Sequence, residues 1–494
     1  MIRPLNNFRL SLEEAKYLLS ADTNDFKNLD FSGLTHVDSE VLPGDLFLAF
    51  PGAHTHGARF IESAKRNGAV AVLTDQDGAQ QSLGLPTLIV PNPRESGAAL
   101  AASFYRSPIR DMQSIAITGT NGKTTVTTLL YQILSMSGRE SGLIGTVETR
   151  IGSEVLESKR TTPEATELQA LAAAMKERHI RNLVMEVSSH SIDLNRMVGS
   201  HFAISGFTNL TQDHLDYHKS MESYFSAKSK LFTVEYSDMG FINIDDPYGI
   251  RLFESQSIPM ISLARTNRKA TWHYTNIEKR DKGYEFSIRG RDGILIESST
   301  VLRGHYNLDN LLMAIAIAYE CEVDPLEIAR ITPRLLGAAG RLEAIEAGQE
   351  FTALVDYAHT PDAVINVLKS AREFTQGRLI GILGCGGDRD SSKRPLMGQA
   401  LVEGCDIAVF TSDNPRSEDP IEILNQMTEG LSFQAPSSVI EKREEAIAFA
   451  ISLAKSGDTV ILLGKGHESG QEIQGVVMPF DDREQIIRAI EKIS

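Results

Sequence analysis

A glycine-rich loop that follows an apolar strand is the strongest chemical signal in this sequence. The predicted strand covers residues 114–119, and a helical pattern covers residues 126–136. The loop between them consists of Gly119, Thr120, Asn121, Gly122, Lys123, Thr124 and Thr125. In such a loop the backbone N–H groups and the helix N-terminus bind phosphate oxygens, the lysine reaches the β- and γ-phosphates, and the threonine hydroxyl coordinates Mg²⁺. Ile117 stands where the first glycine of the motif is usual, so the sequence predicts a shortened variant of an ATP- and Mg²⁺-binding loop.

Acidic and histidine side chains follow two further predicted strands. Glu186 lies near the end of the apolar strand 183–187, where its carboxylate could bind the metal or could be a solvated strand-end residue. Residues 209–218 carry two aspartates and two histidines, His214 and His218, after another apolar strand. No thiol or third histidine is near, so this spacing indicates a hard-metal or phosphate site rather than zinc. We interpret His218 by itself as a surface residue.

Asn307 and Arg341 are candidates for contacts to the nucleotide. Asn307 lies in residues 304–310, ahead of an alanine-rich helix predicted at 311–319. Its amide carries donors and acceptors that could read an adenine edge, or it could cap the helix. Arg341 lies near the start of the third predicted unit, and an exposed arginine near a nucleotide can stabilise charge on a transferring phosphoryl group.

Three polar loops follow three apolar strands in the last third of the chain. They cover residues 384–390, 413–416 and 464–468. Because ligands bind beyond the carboxyl ends of the strands in a doubly wound sheet, we expect these loops to converge on a small zwitterion. The residues concerned are Arg389, Asp413, Asn414, Pro415, Arg416, Gly464 and Glu468. The first loop resembles a dinucleotide-binding loop but lacks its glycine spacing, so a nicotinamide-binding module is a weak alternative.

The elements that position these residues alternate between short apolar strands and helices, which predicts an α/β fold of three domains. Residues 1–106 are predicted to form a small N-terminal α/β domain. Residues 107–336 are predicted to form a central P-loop ATPase-like domain with a mostly parallel sheet, which becomes hairpin-like around 269–301. Residues 337–494 are predicted to form a Rossmann-like, doubly wound domain.

The composition excludes several classes of protein. The chain has 494 residues and a net charge of -16, so its field repels nucleic acids and anionic membrane surfaces, and an anionic substrate needs a local cluster of donors. The cysteines are far apart and form no disulfide framework and no Cys-x-x-Cys metal site, which fits a reducing compartment. The N-terminus lacks the apolar core of a signal peptide, and no apolar run is long enough to span a membrane. We therefore expect a cytoplasmic protein with small-molecule partners.

Taken together and in this order, the motifs resemble the Mur ligase family. Besides the phosphate loop they include Glu-Val-Ser-Ser-His at 186–190, Asp-His-Leu-Asp at 213–216, Gly-Arg-Leu-Glu at 340–343 and Asp-Tyr-Ala-His-Thr-Pro-Asp at 356–362. Thr-Thr-Pro-Glu at 161–164 and Asp-Asn-Pro-Arg at 413–416 are similar to the family members that add the third residue of the peptide. The resemblance implies an ATP-dependent, ADP-forming ligase of peptidoglycan precursor synthesis that acts as a monomer.

The resemblance also implies roles for individual residues. Val37 and Ser39 match the site of the uridine nucleotide. Contacts to the muramoyl dipeptide match Thr161, Thr162, Ser188 and Arg196. The ATP contacts include Asn307 and Arg341. The metal environment matches Thr124, Glu186, His214 and Lys228, the last as a carbamylated lysine. The implied catalytic residues are Lys123, His214, Lys228 and Arg341.

Without the resemblance, Lys228 would be interpreted as a solvated helix lysine. With it, the enzyme is expected to join a diamino acid to UDP-MurNAc-L-Ala-D-Glu through an acyl phosphate. The loop 413–416 resembles the version selective for meso-diaminopimelate, whose distal carboxylate can pair with Arg389 and Arg416 while Asp413 and Glu468 take its ammonium group. L-lysine or another diamino acid is an alternative substrate. Folylpolyglutamate synthetase and a P-loop protein that hydrolyses ATP as a switch are alternative functions.

Overall fold

The N-terminal part of the chain forms a five-stranded sheet. The computed structural model describes residues 2–24, 29–52, 55–255, 257–280 and 282–493. In spatial order the strands of this sheet are Asp22–Asn24, Thr87–Ile89, Ala71–Thr74, Asp45–Leu48 and Gly33–Thr35. Only the first of these strands is antiparallel to its neighbour. The α-helices here are Leu12–Leu19, Ile61–Asn67, Gln76–Ala79 and Pro93–Phe104, and a separate strand pair joins Leu10–Ser11 to Asp30–Phe31.

The central part forms an 11-stranded sheet whose middle is parallel. In spatial order its strands are Glu154–Glu157, Glu148–Ile151, Ser141–Ile144, Asn182–Glu186, Gln113–Thr118, Phe202–Phe207, Ser237–Asn243, Met260–Ala264, Trp272–Lys279, Tyr284–Arg289 and Leu295–Thr300. The strands from Ser141–Ile144 to Trp272–Lys279 run parallel, and antiparallel strands extend both edges. The α-helices are Lys123–Met136, Ala165–Glu177, Ser189–Asp193, Leu215–His218, Met221–Ser229, Pro247–Ser255, His305–Glu320 and Pro325–Ile331.

The last part forms a six-stranded sheet. In spatial order its strands are Glu343–Ile345, Thr352–Asp356, Thr459–Leu463, Leu379–Leu383, Ile407–Phe410 and Ser438–Val439, all parallel except the first. The α-helices are Pro361–Phe374, Lys393–Gly404, Pro420–Thr428, Arg443–Leu453 and Asp482–Ile493. A hairpin of Gly470–Ile473 and Val476–Pro479 lies outside this sheet. Short 3₁₀ helices complete the chain at Asp38–Glu40, Gly57–Phe60, Pro108–Asp111, Lys230–Phe232, Arg291–Gly293 and Thr332–Arg334.

Apolar clusters on both faces of the two larger sheets explain why their central strands are continuously apolar. Strand Leu379–Leu383 is buried at every position, and its side chains alternate between two clusters on opposite faces. Helices must cover both faces of such a sheet, because a strand buried on both sides exposes no polar face. The N-terminal cluster includes Ala170 and Ala173 of helix Ala165–Glu177, so the N-terminal sheet packs directly on the central part.

The predicted fold class is confirmed: an α/β chain with a small N-terminal sheet, a mostly parallel central sheet and a doubly wound C-terminal sheet. The boundaries after residues 106 and 336 stay predictions. The helix predicted at 311–319 instead begins at His305. Asn307 and Asn310 lie inside its first turns, where their buried side chains bond within the protein rather than cap the helix. Leu308, Leu311 and Ile315 already belong to the core, so apolar burial extends the helix towards its N-terminus.

Cys321, Cys385 and Cys405 are free thiols, as the sequence predicts. Burial raises the pKa of each of these thiols to about 12, so each is protonated near neutral pH. Within the described ranges, no helix is both long and apolar enough to cross a membrane.

Candidate active site

The phosphate loop joins strand Gln113–Thr118 to helix Lys123–Met136 at the carboxyl edge of the central sheet. Gly122 precedes the helix with φ +87°, and a Cβ atom there would collide with Oδ1 of Asn310. A glycine is therefore required by both the backbone conformation and the space available. The Lys123 ammonium donates to the carbonyls of Gly119 and Thr120 at 3.0 and 2.8 Å, which holds its side chain over the loop.

Three cations surround this loop. Burial lowers the pKa of Lys123, and the nearby Arg341 guanidinium lowers it further, whereas Glu186 and Asp213 raise it. Burial, with Lys123 as the next cause, holds the pKa of Lys228 well below its usual value. Lys228 Nζ donates to the Gly119 carbonyl at 2.8 Å and lies 4.7 Å from the centre of the Tyr224 ring. Basic side chains gathered around one loop favour a polyanionic ligand such as a triphosphate.

Lys228 is 1% exposed, so its interpretation as a solvated helix lysine is wrong. Helix Met221–Ser229 carries it into the protein, with Tyr224 and Phe225 buried on the same helix. The sequence contains no sign of this burial apart from the family resemblance, because the helix has almost no segregation of polar and apolar residues.

The buried side chain of Glu186 connects two groups of predicted site residues by hydrogen bonds. Its carboxylate is fully buried and accepts a hydrogen bond from the Thr124 hydroxyl of the phosphate loop at 3.0 Å. It also accepts from the backbone N–H of Thr146 at 2.7 Å. The Thr146 hydroxyl lies 3.0 Å from both Glu186 Oε2 and Thr161 Oγ1. The chain therefore places Thr161, predicted to contact the dipeptide, next to the phosphate loop.

The other residues predicted to contact the dipeptide lie beside Glu186. The Thr162 hydroxyl donates to the Glu186 carbonyl at 2.9 Å and accepts from the Ser188 N–H at 3.1 Å. Arg196 donates to the Thr162 carbonyl at 3.1 Å and pairs with Glu164 at 2.9 Å. Thr161, Thr162, Ser188 and Arg196, chosen from the resemblance alone, thus form one connected group.

Arg94 and Arg160 are site candidates that the sequence reasoning missed. Together with Arg196 they surround the single carboxylate of Glu164, at 3.1 Å for Arg94 and 3.4 Å for Arg160. The Arg94 guanidinium also lies 5.2 Å from the centre of the Phe50 ring of the N-terminal sheet. Three guanidinium groups around one carboxylate leave excess positive charge where the N-terminal and central parts meet. In a chain of net charge -16, such a cluster of donors favours an anionic group at this junction.

Val37 and Ser39, predicted for the uridine nucleotide, lie at the start of a short 3₁₀ helix near the same junction. Val37 N–H donates to the Thr35 hydroxyl at 3.1 Å. The neighbouring His36 ring lies 3.2 Å from the Thr166 hydroxyl of the central part, and Glu40 pairs with Lys159 at 3.0 Å. The predicted nucleotide residues are thus connected to the central part by contacts of their immediate neighbours.

His214 lies in a cluster of aromatic rings. Its ring centroid is 4.8 Å from that of His190 and 6.1 Å from that of Tyr224. Burial is the largest cause that lowers the pKa of His214 to about 4, and His190, Lys123 and Lys228 add to it. A neutral imidazole is the form that ligates metals. His218, interpreted as a surface residue, is instead buried, and its Nε2 lies 2.9 Å from Ser189 Oγ, so that interpretation was wrong.

Asn307 and Arg341 both lie near the phosphate loop, Asn307 through its neighbour Asn310 and Arg341 through its charge, which acts on Lys123. The Asn310 side-chain amide donates to Asn307 Oδ1 at 3.2 Å, and it also borders Gly122 of the loop. Arg341 lies with its guanidinium carbon 4.6 Å from the centre of the Tyr357 ring. Its Nε is buried and makes no hydrogen bond within the described part of the chain. A buried donor without a partner is costly, so this arginine is suited to a ligand oxygen.

The loops that follow the strands of the last sheet lie against one another. A Cβ atom on Gly464, which has φ +107°, would collide with the carboxylate of Asp413, so the glycine permits the close approach of the two loops. Burial raises the pKa of Asp413 to about 6, and Arg443 and Lys465 oppose the shift. The Glu468 carboxylate accepts from the Asn414 amide at 2.7 Å. The Pro415 carbonyl lies so close to Gly387 that a Cβ atom there would collide with it, so the loop 413–416 packs directly on the loop 384–390.

Arg389 and Arg416 both border Gly386 of the first loop. Arg416 donates to the Gly387 carbonyl at 2.7 Å and lies 3.5 Å from the Glu472 carboxylate, and its side chain stays partly accessible. Arg389 is exposed. The loops thus carry both guanidinium groups, which can pair with a carboxylate, and carboxylates, which can pair with an ammonium group.

The donor set beside the phosphate loop fits Mg²⁺. Across the described residues, no cluster of three or more His, Cys, Asp or Glu side chains is arranged to hold a metal ion. Thr124 and Glu186 supply hard oxygen atoms in contact with each other. Mg²⁺ commonly takes one or two carboxylates and completes its shell with substrate phosphates and water, so a preformed cage is not required.

Comparisons with known proteins agree with this geometry. Residues 31–105 match the Mur ligase family catalytic domain, residues 117–318 the Mur ligase middle domain, and residues 340–466 the Mur ligase glutamate ligase domain. The chain therefore belongs to the Mur ligase family, and it is an ATP-dependent ligase.

Individual relatives share one name, UDP-N-acetylmuramoyl-L-alanyl-D-glutamate–2,6-diaminopimelate ligase. The protein of this name from Streptomyces coelicolor is 46% identical over 471 residues, which cover 94% of this chain and 93% of the relative. The one from Aquifex aeolicus is 40% identical and covers 93% of each chain. A solved structure of this name is 32% identical, with a TM-score of 0.66 over 94% of this chain and 95% of its own. Folylpolyglutamate synthase of Mycobacterium tuberculosis, at 17% identity and a TM-score of 0.61 over 74% of this chain and 91% of its own, shares the fold.

Proposed function

We propose that this ligase joins meso-diaminopimelate to the D-glutamate of UDP-MurNAc-L-Ala-D-Glu while ATP is cleaved to ADP and phosphate. The observation that carries the proposal is the buried Glu186 carboxylate. Thr124 of the phosphate loop bonds to it directly, and Thr161 reaches it through Thr146. The residues proposed for ATP and those proposed for the dipeptide thus surround one side chain. The name shared by the relatives supports the choice of both substrates.

The reaction needs activation, because a carboxylate is a poor acyl donor. In the first step an oxygen of the D-glutamate side-chain carboxylate attacks the γ-phosphorus, the bond to the ADP oxygen breaks, and an acyl phosphate forms. In the second step the amine of the incoming amino acid attacks the acyl carbon, loses a proton and expels phosphate, which leaves an amide.

The chain contributes positioning and charge to both steps. The Lys123 ammonium and the Arg341 guanidinium would neutralise negative charge that develops on the γ-phosphate and on ADP. Asn307 would contact the nucleotide from the helix that borders Gly122. Because the triphosphate and the amino acid bind to different units, the C-terminal unit would close on the central one before the second step.

Thr124, Glu186, His214 and a carbamylated Lys228 would hold Mg²⁺, which supplies Lewis-acid stabilisation of the phosphate charge when bound. Carbamate formation requires an unprotonated amine that attacks CO₂. The lowered pKa of Lys228, caused mainly by burial, favours the unprotonated form of the amine. The amine nitrogen bonds to CO₂ and releases a proton, so the product is an anion, which the Lys123 ammonium would attract.

The amino-acid receptor favours meso-diaminopimelate over L-lysine. The distal carboxylate of diaminopimelate would pair with Arg389 and Arg416, and its distal ammonium with Asp413 and Glu468. Since the pKa of Asp413 is about 6, this carboxyl is mainly ionised at neutral pH. L-lysine has no distal carboxylate, so it would leave the guanidinium charges uncompensated in a closed site.

We also propose that the ligase acts as a monomer in the cytoplasm. One chain supplies every residue proposed for the three substrates. Its free cysteines fit a reducing compartment.

Phosphate release tests the proposed function. Purified protein is expected to release phosphate from ATP only when UDP-MurNAc-L-Ala-D-Glu and meso-diaminopimelate are both present, since the acyl phosphate turns over only when an amine attacks it. L-lysine in place of diaminopimelate is expected to give a kcat/KM lower by a factor of about 100 or more, the order expected for an unpaired charge in a binding site. Rapid phosphate release without the amino acid would indicate a hydrolytic switch instead of a ligase.

A further inference from the structure

Lys465 is a fully buried cation directly behind the loops of the amino-acid receptor. It follows strand Thr459–Leu463 and is 0% exposed. Its ammonium donates three hydrogen bonds: to Asn414 Oδ1 at 3.1 Å, to Glu468 Oε2 at 3.2 Å and to the Gly470 carbonyl at 2.6 Å. An ammonium group has three protons, so every donor of Lys465 has one acceptor. No step of the proposed reaction has yet used this residue.

These bonds determine the orientation of the Asn414 amide. Its Oδ1 accepts from the Lys465 ammonium and from the Glu472 N–H at 3.0 Å, and both of these groups can only donate. The Nδ2 group must therefore point the other way, where it donates to Glu468 Oε2 at 2.7 Å. Replacing Lys465 would remove one of the two donors that hold Asn414 Oδ1 in this orientation.

The same bonds orient Glu468. Both Asn414 and Lys465 donate to Oε2 of its carboxylate, which leaves Oε1 without a hydrogen-bond donor in the described part of the chain. The Glu468 side chain is about one-third exposed, so Oε1 can reach a ligand. Lys465 also supplies the positive charge that balances this carboxylate on its buried side, and charge-assisted hydrogen bonds of this kind are stronger than neutral ones.

We infer that Lys465 is a positioning residue for the incoming diamino acid. It orients the Glu468 carboxylate so that Oε1 can accept from the distal ammonium of that substrate, and it balances the negative charge of the carboxylate on its buried side. The inference rests on the proposed function, since it concerns the receptor for that substrate. It assigns Lys465 no contact with the substrate. Its effect passes through Glu468, both directly and by way of the Asn414 amide that bonds to Glu468.

A double-mutant cycle tests this inference in the full-length protein. Lys465→Met, Glu468→Gln and the double variant are compared by the KM for meso-diaminopimelate, for ATP and for UDP-MurNAc-L-Ala-D-Glu. Lys465→Met alone is expected to raise the KM for diaminopimelate about tenfold or more and to change the other two KM values less than twofold. In the Glu468→Gln background, Lys465→Met is expected to add less than a twofold increase, because the carboxylate that it positions is gone.

Two further variants separate positioning from general structural damage. Lys465→Gln keeps a donor and most of the length, and it is expected to raise the KM for diaminopimelate less than Lys465→Met does. It replaces Lys465→Met in the cycle if that variant fails to fold. Arg378→Met removes an ion pair with Asp458 at 2.6 Å next to the amino ends of strands Leu379–Leu383 and Thr459–Leu463. This control is expected to lower the melting temperature without changing any KM.

The inference is overturned if Lys465→Met raises the KM for diaminopimelate by the same factor with Glu468 present and with Glu468→Gln. It is also overturned if Lys465→Met raises the KM for ATP as much as the KM for diaminopimelate. These outcomes presuppose that the wild-type protein releases phosphate with the three substrates. A wild-type protein that does not would contradict the proposed function itself.

Discussion

Replacing Lys228 with alanine is expected to lower kcat about a thousandfold or more, with little change in the KM for ATP. Lys228 is buried against the Gly119 carbonyl, and its pKa lies well below the usual value because of burial. If its neutral amine is carbamylated, the variant loses an anionic group beside the triphosphate, and such charge stabilisation is worth several kcal/mol of the barrier. The measurement is steady-state phosphate release with all three substrates.

Chemical rescue separates loss of the carbamate from loss of packing. Acetate or another short-chain acid is expected to restore turnover of Lys228→Ala, because its carboxylate fits the space that the lysine carbamate vacates. Lys230→Ala is the matched control: Lys230 lies just after the same helix and is about half exposed, so its replacement is expected to leave kcat unchanged. Full activity of Lys228→Ala without added acid would remove the proposed role.

Replacing Arg416 with lysine is expected to raise the KM for meso-diaminopimelate about 10- to 100-fold. The substitution keeps the charge but removes the planar group that can form two parallel hydrogen bonds with a carboxylate. Arg416 donates to the Gly387 carbonyl at 2.7 Å, so one of its nitrogens is held by the protein while the side chain stays partly accessible. The KM for ATP is expected to change less than twofold, because Arg416 is not among the residues proposed for the nucleotide.

Arg372→Lys is a suitable comparison for this experiment. Arg372 pairs with Asp406 at 2.7 Å on the exposed face of helix Pro361–Phe374, and neither residue belongs to the three receptor loops. Its replacement is expected to leave all KM values unchanged. If Arg416→Lys raised the KM for ATP and for diaminopimelate by the same factor, the loop 413–416 would not determine specificity.

The features that sequence could predict are those encoded by neighbouring residues. The phosphate loop was predicted because its glycines, lysine and threonines are consecutive and lie between an apolar strand and a helix. The sequence also predicts that the loops after the last parallel strands lie together, because each apolar strand is followed directly by a short polar loop and the carboxyl ends of parallel strands share one edge of the sheet. Local order along the chain is sufficient for both of these inferences.

The features that sequence missed depend on residues that are distant along the chain. Arg94 joins Arg160 and Arg196 around Glu164 only because the N-terminal part packs on the central part, and no motif connects Arg94 to the others. The burial of His218 depends on Ser189 and Tyr224, which other helices supply. Lys465 is next to Gly464 in sequence, but its role depends on the orientation of Asn414, which only the hydrogen bonds reveal.

The central claim is that a carboxylate of UDP-MurNAc-L-Ala-D-Glu becomes an acyl phosphate at the phosphate loop before the amine attacks. Substrate labelled with ¹⁸O in both oxygens of the D-glutamate side-chain carboxylate tests this claim directly. Mass spectrometry of the released phosphate is expected to find one ¹⁸O atom for each tripeptide formed, because the attacking oxygen leaves with the phosphate. Phosphate without label, formed together with the tripeptide, would contradict the account.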